Sequence, residues 1–314
     1  ARRPRSHHCG DRGRMSAFTA INLERLPAPE IIDRKDFETI LAEIKAWLVA
    51  RDPSLAPIMG LESEPITKVL EAWAYRELLL RAEIDDAGRG NMLAFAGGAQ
   101  LDHLAAFYGV ERAVIQPADP AALPPVPAVL EDDVRFRSRV QLALEGFTTA
   151  GPRGSYVFWG LSASSLVKDI SVESPSPGQV LVTVLSDVGD GSGDAALIQT
   201  VSDKLNDEDI RPLTDQVIVQ GASIVPYQLE AVLTLYEGPD ADVVRAAAEA
   251  SVSAFVWDQH RLGHDITVSG LHAALHLAGV QKVTLVSPGA DLEIDASEAA
   301  YCTSVSVTVG GRDV

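Results

Sequence analysis

Four histidines, His260, His264, His272 and His276, stand in two i,i+4 pairs. On a helix that spacing brings two imidazoles to one metal, and the chemistry it would serve is metal-assisted hydrolysis. Gly263 interrupts the first pair, placing it across a helix end. The second region lacks the internal glutamate of the HExxH pattern of zinc hydrolases. Asp258 and Asp265 serve equally well as ligands or as ion-pair partners. Packed or surface histidines are the simpler reading, with the hydrolase kept as the alternative.

Other constellations fail in similar ways. GDGSGD at 189–194 lacks the spaced acids and closing glutamate of a calcium loop, and the GK[ST] ending of a phosphate loop. It reads as a turn capping a helix over 194–206, with Ser192 or Asp194 accepting first-turn amides. GRGNMLAFAGG at 88–98 has glycines but no preceding strand, so it does not fit dinucleotide binding. The acid groups Asp85-Asp86, Asp132-Asp133 and Asp207-Glu208-Asp209 arise freely among 44 acidic residues. Ser162, Ser164 and Ser165 lie outside any GxSxG elbow, and Cys302 has no activator nearby in sequence. No catalytic, metal-binding or cofactor-binding residue is expected, and no cofactor.

Charged residues set among apolar ones need a different account. Arg76 and Glu77, Arg135, Arg137 and Arg139, and Arg211 adjoin strong core positions. An arginine stem packs on apolar surface while its planar head ties a partner group. Trp73, Arg76, Glu77, Arg137, Trp159 and Arg211 are therefore the candidates for an interface or an intrachain junction.

The elements that position them read as two kinds of block. Phe37, Ile40, Leu41, Ile44, Trp47 and Leu48 mark one helical face, ended by Asp52-Pro53. Glu64-Pro65 opens a second helix with Ile66, Val69, Leu70, Trp73, Leu80 and Ile84, running to about Asp86 or beyond. Gly97-Gly98 and Gly109 bracket a short third helix. PADPAALPPVP at 117–127 holds five prolines and predicts a stiff extended connector that positions the helical module relative to the α/β body. Helices are expected over about 132–145, with Val134, Arg137, Val140 and Leu144 on related faces, and from GPRG at 151–154 through Tyr156 and Trp159 to about Ala163. Strands come near 170–172, 180–185, 217–219, 227–236, 281–286 and 303–309. Helices over about 194–206, 241–255 and 268–278 separate them.

The fold expected is α+β: an N-terminal all-helical module, then two small mixed α/β units in an elongated subunit, read as distant structural repeats without periodic identity. The boundaries are 1–15, a disordered basic upstream segment; 16–116, helical; 117–130, the connector; 131–224, the middle α/β domain; and 225–314, the C-terminal one. Residues 1–14 carry net +4 in a chain of -18, and Met15 is taken as the native start, with a basic arm touching a partner as the alternative. The acidic balance opposes a nonspecific grip on nucleic acid. Cys9 and Cys302 make no disulfide framework, and no run of about 18 apolar residues predicts a membrane span.

Ordered segments along nearly the whole chain carry a resemblance. They include LPAPE at 26–30, AYRELLLR at 74–81, LDHLAAFYGVER at 101–112, AGPRGSYVFWG at 150–160, VKDISVESPSPGQVLVTVLS at 167–186, QHRLGHDI at 259–266 and HAALHLAGVQKVTL at 272–285. The chain resembles the baseplate J-like family of P2-like contractile-tailed phages. That resemblance implies a structural wedge protein around the central hub, in a phage, a prophage or a contractile bacteriocin. Its implied partners are other copies of itself, a protein I-type wedge component and a protein W-type component of lysozyme-like fold. It implies a virion tail baseplate assembled in the host cytoplasm, with the N-terminal helices bundling neighbouring wedge proteins and the C-terminal portion meeting the next wedge. It brings neither a cofactor nor a catalytic residue.

Overall fold

A computed structural model describes residues 21–148, 150–238 and 240–313. The basic segment and Met15 lie outside the described residues. Those described form two compact units. One holds the chain up to Arg112 together with Asp132–Val140; the other holds Ala113–Glu131 and the chain from Gln141 onward.

In the helical unit, α1 (Phe37–Arg51) begins where Asp36 accepts the Thr39 amide at 2.7 Å, satisfying a first-turn donor. α2 (Pro65–Arg89) opens on a proline, whose missing N–H costs no intrahelical bond there. The two pack through Ile40, Leu41, Leu70 and Ala74, with Met59 from the intervening turn. α3 (Gly98–Ala106) comes next, and its exit turn uses Gly109 at φ +64°. Asp85 of the first acid pair is buried between Arg34 at 3.0 Å and Arg89 at 2.8 Å, so its task is structural.

α4 (Asp133–Gly146) forms where its sequence predicts and buries Val140 as expected, but its stripe turns away from Val134 and Leu144. Phe136, Val140 and Ala143 are buried, at i,i+4,i+7, while Val134 and Leu144 are more than 60% exposed. The apolar residues of this helix surround it, and packing against Phe136 selects the stripe. The second acid pair starts it. Asp132 caps the Val134 and Arg135 amides, and Asp133 accepts the Gly98 amide at 3.0 Å while pairing with Arg112 at 2.8 Å.

The proline-rich stretch departs from expectation. β1 (Val114–Gln116) and β2 (Val129–Leu130) pair antiparallel, and Asp119 and Val126 exchange backbone hydrogen bonds of 2.9 and 3.0 Å. The segment is a hairpin arm rather than a linear spacer. Pro120, Pro124 and Pro125 lie in the turn beyond the Asp119–Val126 pair, and Pro117 and Pro127 fall between the paired residues, so no ladder bond needs their missing donors. The base is clamped: Glu131 N donates to Ala113 O at 2.9 Å, and Ala113 N donates to the Glu131 carboxylate at 3.0 Å.

The rest of the second unit carries two three-stranded sheets. α5 (Arg153–Ala163), β3 (Val167–Glu173), β4 (Gln179–Ser186), α6 (Ala195–Leu205) and β5 (Gln216–Gly221) build the first, ordered β3-β4-β5. Asp194, not Ser192, caps α6 by accepting the Leu197 amide at 2.7 Å. Tyr156, Ile170, Val182, Val184, Val201 and Leu205 fill its core.

Only Ala222 separates β5 from β6 (Ser223–Leu235), the centre of the second sheet. α7 (Ala241–Gln259), α8 (Val268–Leu275), β7 (Val280–Ser287) and β8 (Glu298–Arg312) complete it, ordered β7-β6-β8. Along β6 the residues Leu229, Ala231, Leu233 and Leu235 are buried and Gln228 and Glu230 are exposed. This period of two marks a sheet with one covered face. Each buried leucine contributes roughly 1.5–3 kcal/mol. In both sheets the central strand has one antiparallel and one parallel neighbour, although the order of elements along the chain differs. The fold is α+β.

Candidate interaction surfaces

The exposed side of α2 holds three of the candidate residues together. Val69, Trp73, Leu80 and Ile84 succeed one another at helical spacing and are each at least 41% exposed, with Trp73 at 56%. The buried side of the same helix, Leu70 and Ala74, is already packed on α1, so this stripe is additional to the fold. An open hollow of about 460 Å³ runs along it, lined by Ile32, Trp73, Arg76, Glu77, Leu80 and Ile84 among others. Charge surrounds the apolar residues, and Glu77 is fixed by Arg81 at 2.8 Å. The stripe is an amphipathic face that, among the described residues, only Ile32 approaches along the hollow, and it is suited to burying a second apolar helix.

The remaining three candidates brace the chain internally. Arg137 donates from Nε to Leu93 O at 2.7 Å and from a terminal nitrogen to Ala96 O at 2.6 Å, tying α4 to the turn before α3. Trp159 meets Phe158 edge to face at 5.1 Å, and the Lys204 ammonium lies 5.0 Å from its ring centre. Arg211 donates to Asp215 O at 3.4 Å, and the Asp215 carboxylate accepts the Tyr156 hydroxyl at 2.7 Å. Burial, and then this carboxylate, push the Tyr156 phenol well above its ordinary range. Sequence reasoning missed Arg112, which joins Asp102 and Asp133 at 2.8 Å each and lies over the Phe136 ring at 4.6 Å. An arginine after the Gly109 turn gave no local sign of a partner twenty residues on.

The histidines do not assemble. His260 ends α7 and is 5% exposed, His272 sits inside α8, and His276 caps its end. Among the described residues, no three His, Cys, Asp or Glu side chains converge as a metal site. The alternative hydrolase loses the ligand set it needs. His260 Nδ1 is 2.7 Å from Ala300 O; a carbonyl only accepts, so Nδ1 carries the proton and Nε2 is the bare nitrogen.

That ring lies at a seam between the two sheets. Leu262 N donates to the buried Asp169 carboxylate of β3 at 3.0 Å, and Leu262 packs with Leu185 and Ala299. The Lys168 ammonium lies 3.7 Å from the Trp257 ring centre. The glycine-rich loop completes the seam: Gly191 has φ +93°, and a Cβ there would lie 2.7 Å from His260 Nε2. Burial pushes the Asp169 carboxyl up, against the Leu262 and Ile170 amides that pull it down. Burial also lowers His260, opposed by its bond to Ala300.

Among the described residues no helix is long and apolar enough to cross a membrane. Three family profiles match in chain order: Baseplate J-like N-terminal domain over residues 62–119, Baseplate J-like central domain over 148–221, and Baseplate J-like protein C-terminal domain over 227–308. The chain is 46% identical over 298 residues to Baseplate protein J of Escherichia phage P2, covering 93% of this chain and 99% of that protein. A chain in the 6-fold symmetrised baseplate of the anti-feeding prophage is 15% identical at a TM-score of 0.43, over 57% of this chain and 44% of that one. With three domain profiles in order and a relative aligned from end to end, the chain belongs to the baseplate J-like family.

Proposed function

We propose that this chain is a structural wedge subunit in the baseplate of a contractile tail or tail-like particle, acting through packed contacts and without bond chemistry. The end-to-end similarity to Baseplate protein J of phage P2 carries this reading. The open apolar stripe of α2 gives it a physical basis, because assembly supplies the burial that the isolated unit lacks. In this reading the helices of 16–116 bundle with copies of the chain and with a protein I-type wedge component. The middle and C-terminal domains, 131–224 and 225–314, meet the next wedge, a protein W-type component and the central hub. The finished location is the tail baseplate, reached after assembly in the host cytoplasm. Obligate interfaces of this kind bury roughly 2,000 Å² or more, and symmetry closes the ring.

Removing the gene from a particle-producing strain tests this reading. Contractile particles are expected to disappear and to return with the wild-type gene. They should not return with a Trp73→Asp, Leu80→Asp double variant whose purified form keeps its thermal midpoint. Particles that mature normally without the gene contradict the proposal.

A further inference from the structure

The seam around His260 gathers residues that assembly through α2 does not use. Its C-terminal side is one short segment, from Trp257 at the end of α7 to Leu262. Lys168 sits on the Trp257 ring at 3.7 Å and donates to Trp257 O at 3.5 Å. His260 is held by Ala300 O and packs edge to face on Tyr301 at 5.4 Å. Leu262 enters the small apolar cluster with Leu185 and Ala299, and its amide is taken by Asp169. On the other side the loop after β4 closes directly over the ring through Gly191.

We propose that residues 257–262 form a proton-sensitive latch between the two sheets, closed when His260 is neutral and released when His260 takes a proton on Nε2.

The chemistry comes from the groups that face that nitrogen. In the closed seam Nδ1 already donates to Ala300 O, so a second proton puts a full positive charge on a buried ring beside Gly191, where an added Cβ would lie 2.7 Å from Nε2. Lys168 on β3 has the same sign and opposes it, while Asp187 and Asp190 beyond β4 favour it. Arg261 and Asp258 on the segment itself are paired to each other at 2.8 Å. Burial is the largest influence, and the closed seam holds the ring below its ordinary 6.5. The open seam, with the ring in water, binds the proton more readily. Opening is therefore favoured as pH falls below about 6.5, by up to about tenfold per pH unit for one linked proton. Asp169, which Arg261 and His264 face, has the opposite sign. Its carboxyl is raised in the closed seam, so its protonation lower in pH favours closure. A latch worked by His260 thus loosens in mild acid, and one worked by Asp169 tightens on acidification.

Hydrogen exchange on the full chain, corrected for the intrinsic pH dependence of exchange, reads the latch at the Leu262 and Ile170 amides. Between pH 7.5 and 5.5 their protection is expected to fall, by at most about tenfold, with the β6 core amides unchanged. A His260→Asn variant keeps a donor for Ala300 O without titrating, and its seam protection should not respond to pH. If that variant does not fold, Lys168→Met supplies the second reading. Losing the like charge raises the proton affinity of the closed ring, so Lys168→Met should shrink the loss of seam protection between pH 7.5 and 5.5. Seam protection that is flat or rising in mild acid, an Asn variant that loosens as wild type does, or a pH response that Lys168→Met leaves at its wild-type size would each overturn the latch.

Discussion

Gly191 shows how a residue's meaning changes between sequence and structure. In sequence it belongs to a turn that fails as a calcium or phosphate loop. In the fold its φ of +93° and its approach to Leu185 and His260 leave no space for a side chain. Gly191→Ala should cost about 1–3 kcal/mol through overpacking alone, read as a lower denaturant midpoint with an unchanged slope. A midpoint at the wild-type value would contradict the close approach. The same residues explain what stayed hidden. His260 sits in a tempting i,i+4 pair, but its partner groups, Ala300 and Gly191, are 40 residues after it and 69 before it. Local spacing cannot reveal a contact made by the return of a distant strand. The same holds for Asp169 and Leu262, separated by 93 residues. Arg137 was legible as a brace or contact because an arginine beside core positions needs a partner; that its partners are the Leu93 and Ala96 carbonyls was not.

At the level of elements, the sequence was most informative where a rule is local. The Pro65 helix start, the Asp52-Pro53 stop and the alternation along β6 appear where their chemistry places them. Two elements were read differently because tertiary pairing decides them. α4 has apolar residues around its circumference, and the Phe136 stripe is chosen by what packs there. The 117–127 prolines exclude helix and central strand, yet they do not say whether an extended segment continues or turns back. Pairing of Val114 with Leu130 settles that. A clamped base makes the length of the tip immaterial to the path of the chain. Inserting four Gly/Ser residues after Ala122 should leave the thermal midpoint and the yield of assembled particles at wild-type values. A linear spacer would respond to the same insertion with lost assembly, measured by particle yield.

For the whole molecule, composition alone gave a negative picture: acidic, without a reaction centre or a spanning segment. Family membership turned that into a positive one, and it was legible because segments in order along nearly the whole chain carry it. The geometry adds where the work of assembly falls. Among the described residues α2 has one face packed on α1 and an exposed apolar stripe opposite, which offers burial to a partner. Association is therefore the property to measure. Coexpression with the neighbouring tail proteins, and native mass measurement of the products, tests it directly. Complexes holding more than one copy of this chain together with its neighbours are predicted for the wild type, and their loss for the Trp73→Asp, Leu80→Asp variant. A wild-type chain that stays a discrete single subunit beside those neighbours would contradict the account.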